Sequence, residues 1–363
     1  MKKITCFICS LSSGGAENQI IKLSQQLTEH AYKVTLVTFS DLKDHYEIPA
    51  GINRVRIAEG RSKWEKLISI FWYFISVNAD CVVSFGQREN TLCMLPLLFR
   101  KKVKIIAGER NFTLGRYSFL EKILMHFLYY FADYIVPNSY SQRNLILQQK
   151  PKWKNKVITI TNYTDIKRYD VFAPPNNNIL QIGIFARYTR QKNYLLFAKV
   201  VKQLKEMAEV SFNFDWYGNK TFKSGKSNKE YLHFAKLIDS YGIIDVIRLN
   251  DHVKDVANRM PEFDAICLPS LWEGFSNSIS EAICCGKPML VSNISDNGVM
   301  VKEGENGFLF NPESIDEICD AFLRFFKLSL EDRLEMGRNS RKIAESLFNN
   351  NEFVQSYINL IES

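Results

Sequence analysis

The sequence predicts two α/β units in tandem, each a parallel sheet covered on both faces by helices. Three observations carry this. Short apolar runs without polar alternation recur between helical patterns, as strands buried on both faces require. The succession breaks once, at 170-DVFAPPNNN-178, where prolines and asparagines make a linker. A second series of the same kind then begins. With 363 residues, 46% hydrophobic and 24% charged, the chain has material for two cores.

Residues 4–11 read as a strand and Ser12-Ser13-Gly14-Gly15 as a turn. Residues 18–29 read as a helix with Ile20, Ile21, Leu23 and Leu27 on one side. Further strands are expected at 34–39, 54–57, 81–85, 104–107 and 134–137. The second series has strands at 179–185, 211–217, 246–249, 265–268, 289–291 and 307–309. Its helices are expected at 193–204, 229–240 and 278–285, the last capped by Ser278 and stopped by Gly286-Lys287-Pro288. Helices fill the chain from about 314 to its end. The expected units are therefore 1–170 and 171–345, followed by a last helix within 346–363. A ligand cleft is expected between the units, at the carboxyl ends of their strands.

Composition narrows the function. No apolar run reaches the roughly 18–20 residues a membrane span needs. The opening MKKITCFICSLSSGG has lysines and an apolar run, but a Gly-Gly turn and an amphipathic helix follow, so it reads as a first strand of a cytoplasmic protein. The eight cysteines lie scattered in apolar segments, and even the Cys6-x-x-Cys9 pair falls within a strand-like run, as buried thiols do. Five histidines without an H-x-x-x-H pair make a zinc site unlike this chain, and no metal is expected. Residues 1–170 carry 25 Lys+Arg and 14 Asp+Glu, a difference of +11; the rest carry 22 and 25, a difference of −3, summing to the net +8. A basic first half suits an anionic partner such as a diphosphate or a phospholipid surface; a uniformly solvated basic face fits the same numbers.

Three places could carry chemistry. In 12-SSGGAEN-18, Gly14 and Gly15 let backbone approach a ligand, and the helix behind them offers unpaired N–H groups. A plain tight turn accounts for the same residues, and the third glycine of a dinucleotide fingerprint is missing. In 183-GIFARYTRQKNYLLF-197, Arg187, Arg190 and Lys192 follow a strand and precede a helix. A guanidinium with two parallel donors and an ammonium point charge suit a diphosphate there. A solvated basic loop is the bland alternative. In 269-PSLWEGFSNSISEAICCGKPMLVSN-293, the N–H groups of Phe275, Ser276 and Asn277 precede a helix, where a diphosphate binds cheaply. Glu273 and Glu281 bracket that loop, and a carboxylate can take two hydroxyls of a diol. Singly, each is equally a loop acid or a helix-dipole acid.

Taken together, these pieces resemble the retaining, GT-B-fold glycosyltransferases of family 4, the glycosyl transferases group 1 type. The resemblance rests on Gly14-Gly15-Ala16-Glu17, Arg187 with Lys192-Asn193, Glu273-Gly274-Phe275 with Glu281-Ala282, Cys285-Gly286-Lys287-Pro288, and Gly304-x-x-Gly307. Asn162 in VITITNYTD resembles the entry to the family's interdomain linker. It implies two Rossmann-like domains facing each other across a cleft, with the last helix crossing back to the first. It implies a nucleoside diphosphate sugar donor, most often a UDP-sugar, held by the second domain, and an acceptor held mainly by the first, with no cofactor or metal. Arg187 and Lys192 would hold the diphosphate as leaving group. Glu273 would contact the sugar, Glu281 the ribose, and Gly15 the diphosphate. In 107-AGERNFT-113, Arg110 stands where many members have a histidine; an arginine cannot act as a base. Glu109, Arg110 and Asn111 are therefore candidates for binding the sugar or an acceptor phosphate. The stretch 295-SDNGVMVKEG-304 departs from the family's Gly-Gly, which alters contacts from Asp296, Asn297 and Gly298.

For the acceptor, the aromatic segments 64–76 and 117–136 have basic flanks at 100–102 and 150–156. As core helices they need no special explanation; as membrane-surface patches they would suit a polyprenyl-diphosphate-linked saccharide. The second reading places the protein peripherally on the inner face of the cell membrane, against anionic lipid, with binding weakened by salt. By resemblance the pathway is surface polysaccharide assembly, O-antigen or capsule. Rival readings are a nucleotide-sugar epimerase of the same fold and a non-catalytic sugar- or nucleotide-binding protein. No nucleic-acid motif is present, so no nucleic-acid partner is expected.

Overall fold

A computed structural model describes residues 1–11, 14–40, 44–100, 102–110, 119–171, 178–221, 225–348 and 350–363. The chain divides into two compact units, Met1–Tyr163 with Asn350–Ser363, and Thr164–Asn349.

The first unit runs β1 (Lys3–Phe7), α1 (Gly15–Glu29), β2 (Lys33–Thr38), β3 (Asn53–Arg56), α2 (Lys63–Ser76), β4 (Cys81–Phe85), α3 (Gln87–Leu97), β5 (Lys104–Glu109), α4 (Phe119–Tyr130), β6 (Tyr134–Pro137) and α5 (Tyr140–Gln149). Its sheet is parallel throughout, in the order β3-β2-β1-β4-β5-β6. Neighbouring residues go to opposite faces. Ile4 and Cys6 join one core cluster while Phe7 joins the other; Ile106 joins one while Ile105 and Ala107 join the other. Burial on both sides is why these strands read as unbroken apolar runs.

The second unit runs β7 (Leu180–Phe185), α6 (Tyr194–Met207), β8 (Phe212–Tyr217), α7 (Lys229–Ser240), β9 (Ile247–Asn250), α8 (Val256–Arg259), β10 (Ala265–Leu268), α9 (Asn277–Cys284), β11 (Met289–Ser292), α10 (Asn297–Met300), β12 (Gly307–Phe310), α11 (Ile315–Phe326) and α12 (Leu330–Leu347). Its order, β12-β11-β10-β7-β8-β9, repeats the scheme of the first, with β7 in the place of β1. In each sheet the order reverses between the first and fourth strands, β1 and β4 or β7 and β10. That reversal opens a crevice at the strands' carboxyl ends. The last helix, α13 (Asn350–Glu362), belongs to the first unit, where Val354, Tyr357, Leu360 and Ile361 are buried with β1 and α1.

Several expected boundaries move. The division falls after Tyr163, not at 170, because Tyr163 is tied into the first unit. Its N–H donates to Gln19 Oε1 and its carbonyl accepts from Gln19 Nε2, both at 2.8 Å, and its ring stacks on Phe353 at 5.5 Å. Tyr169, six residues on, already packs in the second core. The second division falls after 349 instead of 345, because Phe348 still packs in that core. The linker at 172–177 and residues 12 and 13 of the first turn lie outside the described residues. Helix α1 begins at Gly15 rather than 18. Strand β1 ends at Phe7 rather than 11, since Cys9 O accepts from both Phe39 N and Ser40 N as the chain leaves the ladder.

Candidate functional site

The richest constellation lies at the carboxyl ends of β7 and β10, where the second sheet's order reverses. After β7 the chain exposes Arg187, then makes a short 3-10 turn, Arg190–Lys192. Asn193 closes that turn in the left-handed region, φ 61°, which asparagine tolerates better than most residues. Its side chain donates to Pro312 O at 2.7 Å, which fixes the turn against the β12 connection. Lys192 is thereby buried rather than extended into solvent.

The loop after β10 is sewn to this turn. Leu271 N donates to Gln191 O and Gln191 Nε2 donates to Trp272 O, both at 2.8 Å. Ser295 Oγ donates to Glu273 O at 2.8 Å. Held so, the Glu273 carboxylate accepts from Lys192 Nζ in an ion pair whose two side chains are each 10% exposed. The pair sets a fixed ammonium and a fixed carboxylate side by side, with little water to screen them.

Helix α9 begins beside them. Its cap is Ser276, whose Oγ accepts from Ile279 N at 3.5 Å. Ser278, expected as the cap, instead donates to Phe185 O at 2.8 Å and pins the helix to the end of β7. The first N–H groups of an α-helix lack intrahelical partners and carry its positive pole, so the start at Asn277 is a ready anion site. Phe275 is buried and its ring meets Phe348 edge-on at 6.4 Å. It can offer a ligand only its backbone. Glu281 sits one turn into α9 and is partly exposed.

In the first unit the expected residues behave differently. Gly14 is the extended residue before α1, and a Cβ there would overlap the Glu17 carboxylate, which folds back over it. Tyr46 Oη donates to Gly14 O at 3.2 Å. Gly15 is the first residue of α1. Glu109 and Arg110 turn inward, at 1% and 6% exposure. Arg110 donates to Asn162 Oδ1 at 3.0 Å and to Tyr357 Oη at 2.7 Å, and its guanidinium lies 3.6 Å from the Phe85 ring centroid. Glu109 Oε1 accepts from Tyr129 Oη and from Asn90 Nδ2. Burial pushes its pKa up to about 8, against the weaker pull of its hydrogen bonds and of Arg110. Both side chains are therefore engaged inside the unit, Arg110 because α13 brings Tyr357 against it. Asn111 lies outside the described residues.

Sequence reasoning missed Gln191, Ser295 and Asn90, each drawn from an otherwise ordinary loop or helix. It also missed a cavity of about 450 Å³ at the ends of β10, β11 and β12, lined by Trp272, Ile294, Asn311 and Glu313 among others. Four separate segments build it, so no local pattern marks it. Among the described residues no cluster of His, Cys, Asp and Glu is poised to hold a metal. All the cysteines are free, and only Cys9 is not buried.

Residues 166–343 match the family described as glycosyl transferases group 1. An uncharacterized glycosyltransferase from Haemophilus influenzae is 26% identical over 358 residues, 95% of this chain and 96% of its own. The Campylobacter jejuni enzyme named GalNAc-alpha-(1->4)-GalNAc-alpha-(1->3)-diNAcBac-PP-undecaprenol alpha-1,4-N-acetyl-D-galactosaminyltransferase is 22% identical, over 96% of this chain and 92% of its own. Among solved structures, Anabaena HepE in complex with UDP and glucose superposes with a TM-score of 0.82 at 16% identity, covering all of both chains. At that identity the likeness speaks for the fold alone, and the fold is GT-B.

Proposed function

We propose, from the match of residues 166–343 to the glycosyl transferases of group 1, that the second unit binds a nucleoside diphosphate sugar and that the enzyme transfers the sugar to a lipid-linked saccharide. The observation that carries this is the Lys192–Glu273 pair beside the start of α9, at the point where the second sheet's order reverses. Arg187 and Lys192 supply cations to the diphosphate, and the N–H groups from Phe275 to Asn277 supply neutral donors to its oxygens. Glu273 accepts from hydroxyls of the donor sugar and Glu281 from the ribose. Gly15, without a side chain, lets the start of α1 approach a ligand oxygen, whereas the space at Gly14 is taken by the Glu17 carboxylate.

The reaction breaks the bond from the anomeric carbon to the diphosphate and forms one to an acceptor oxygen. A retaining course suits this chain, in the manner of family 4. Arg110 and Glu109 are internal, so neither serves as a base. The acceptor's proton then passes to the departing diphosphate oxygen, and the cations of Arg187 and Lys192 stabilise that group as it leaves. A hexose or N-acetylhexosamine is the moiety, and a UDP-sugar the donor, as the family resemblance of the motifs implies. The polyprenyl-linked acceptor named for the Campylobacter relative supports an acceptor of that kind and a role in surface polysaccharide assembly. The place of work is the inner face of the cell membrane, bound peripherally; no described helix is long and apolar enough to cross a bilayer.

Calorimetric titration with UDP, GDP and ADP, with and without EDTA, tests this. The expected result is micromolar binding of UDP that EDTA does not change. Absence of binding to all three nucleotides would remove the donor site and leave a non-catalytic protein.

A further inference from the structure

The first unit has a second surface that the proposed chemistry does not use. Helices α2, α3 and α4 cover one face of its sheet, burying Ile70, Phe74, Met94 and Leu128 in a single cluster with Phe7 and Val82. A surface helix of this kind ordinarily turns a polar stripe to solvent. These do not. Along α2, Trp64, Leu67, Ile68 and Trp72 recur at helical spacing on the outer side, with Trp64 77% and Trp72 62% exposed. Phe127 and Tyr130 of α4 are 54% and 70% exposed, opposite the buried Leu128 and Tyr129.

The patch is continuous. Phe99, just past α3 and 70% exposed, lies 6.5 Å from Phe71 of α2, and α3 packs between α2 and α4. Half of the exposed large apolar side chains among the described residues lie on these three helices or at their ends. A monomer in water seldom leaves such an area open.

Its edges are basic at both ends of the helices. Arg61, Lys63 and Lys66 stand at the start of α2. At the far end, Arg100 donates to Ile75 O and Val77 O, which ties the chain just past α3 to the end of α2. There too Lys156 donates to Tyr129 O and Tyr130 O, holding 150–156, with its four lysines, against α4.

We infer that the outer face of α2, α3 and α4 is a bilayer-docking surface, whose aromatic side chains enter the acyl-headgroup boundary of an anionic membrane while the flanking lysines and arginines meet its phosphates. Aromatic centre and basic rim together are what such an interface rewards. A second copy of this chain fits worse. A two-fold contact through the patch would set its basic edges against their own copies, cation against cation. The inference rests on the lipid-linked acceptor proposed above for its purpose, not for its physics.

The test uses the full chain and vesicles that contain neither donor nor acceptor. Wild type is expected to bind phosphatidylglycerol-containing vesicles at least tenfold more tightly than phosphatidylcholine alone. Lipids brominated in the acyl chain should quench its tryptophan fluorescence. The double variant Trp64→Phe with Trp72→Phe should still bind but lose most of that quenching. Trp72→Asp with Phe127→Asp should bind at least tenfold more weakly, with unchanged circular dichroism and unchanged UDP affinity. Binding without quenching, quenching kept by the double phenylalanine variant, or wild-type dimers in sedimentation that Trp72→Asp dissociates would each overturn it. Transfer to an acceptor with a short, soluble tail is measured separately. Its loss would sink the proposed reaction and leave the vesicle result standing.

Discussion

A lysine and a glutamate at 10% side-chain exposure are each poorly hydrated, so each depends on the other. Lys192→Ala leaves the Glu273 carboxylate buried without its ion-pair partner. It should lower stability by about 1–3 kcal/mol in chemical denaturation and weaken UDP binding at least tenfold. Glu273→Gln should cost less stability, since an amide oxygen still accepts from the ammonium, while reducing turnover more than nucleotide affinity. Equal affinity of wild type and Lys192→Ala for UDP would remove Lys192 from the donor site. Glu109 makes a different prediction. With its pKa raised from 4.5 to about 8, the folded chain keeps a proton that the unfolded chain has released between those values. Stability therefore falls as pH rises across that window and is fully present below it. Glu109→Gln should flatten the slope; parallel melting curves for wild type and variant from about pH 5 to 8 would contradict it. Lys192 and Glu273 were legible in the sequence because each sits in a short loop between a strand and a helix. The inward turn of Arg110 was not, because its partner Tyr357 is 247 positions away.

Elements were legible where packing agrees with local pattern. Strands buried on both faces appear as unbroken apolar runs, and β4, β6 and β10 match their expected bounds. Helix starts were less so, since several residues near a start can cap it. In α9 two serines compete, and the end of β7 decides: Phe185 O takes Ser278, leaving Ser276 as cap. Ser276→Ala should cost about 1 kcal/mol and loosen the helix start. If α9 orients the donor diphosphate, UDP affinity falls with it; a stability loss with unchanged affinity would separate the cap from the site. The motif Cys285-Gly286-Lys287-Pro288, part of the family resemblance, is architectural in this chain. Gly286 has φ +66°, a Cβ there would press on Val171, and buried Lys287 donates to Pro261 O and Phe263 O. Helices α2 and α4 read as apolar from sequence, but pattern alone did not say which apolar side chains would stay outside.

At the scale of the molecule, one strand order is used twice, and the chain ends by rejoining the unit it began. Deleting 350–363 would uncover the apolar side of α1 and β1 that Val354, Tyr357 and Leu360 now fill, and would leave Arg110 without Tyr357. The expected outcome is a first unit that melts well below the second in calorimetry. A single unchanged transition would show that α13 contributes little. What the sequence by itself determined is the alternation of strands and helices, the repetition of that pattern, the loops that carry Arg187, Lys192 and Glu273, and the helix that carries Glu281. These are local properties, set by spacing and by residue type at strand ends. Only the tertiary structure decided which strands lie side by side, and so which loops meet at the reversal between β7 and β10. It also decided that α13 returns, that Glu109 and Arg110 are buried, and that an aromatic face of α2, α3 and α4 is left open. Those outcomes depend on contacts between residues far apart in the chain, and a hydrophobic pattern says that a side chain needs cover without saying what will supply it.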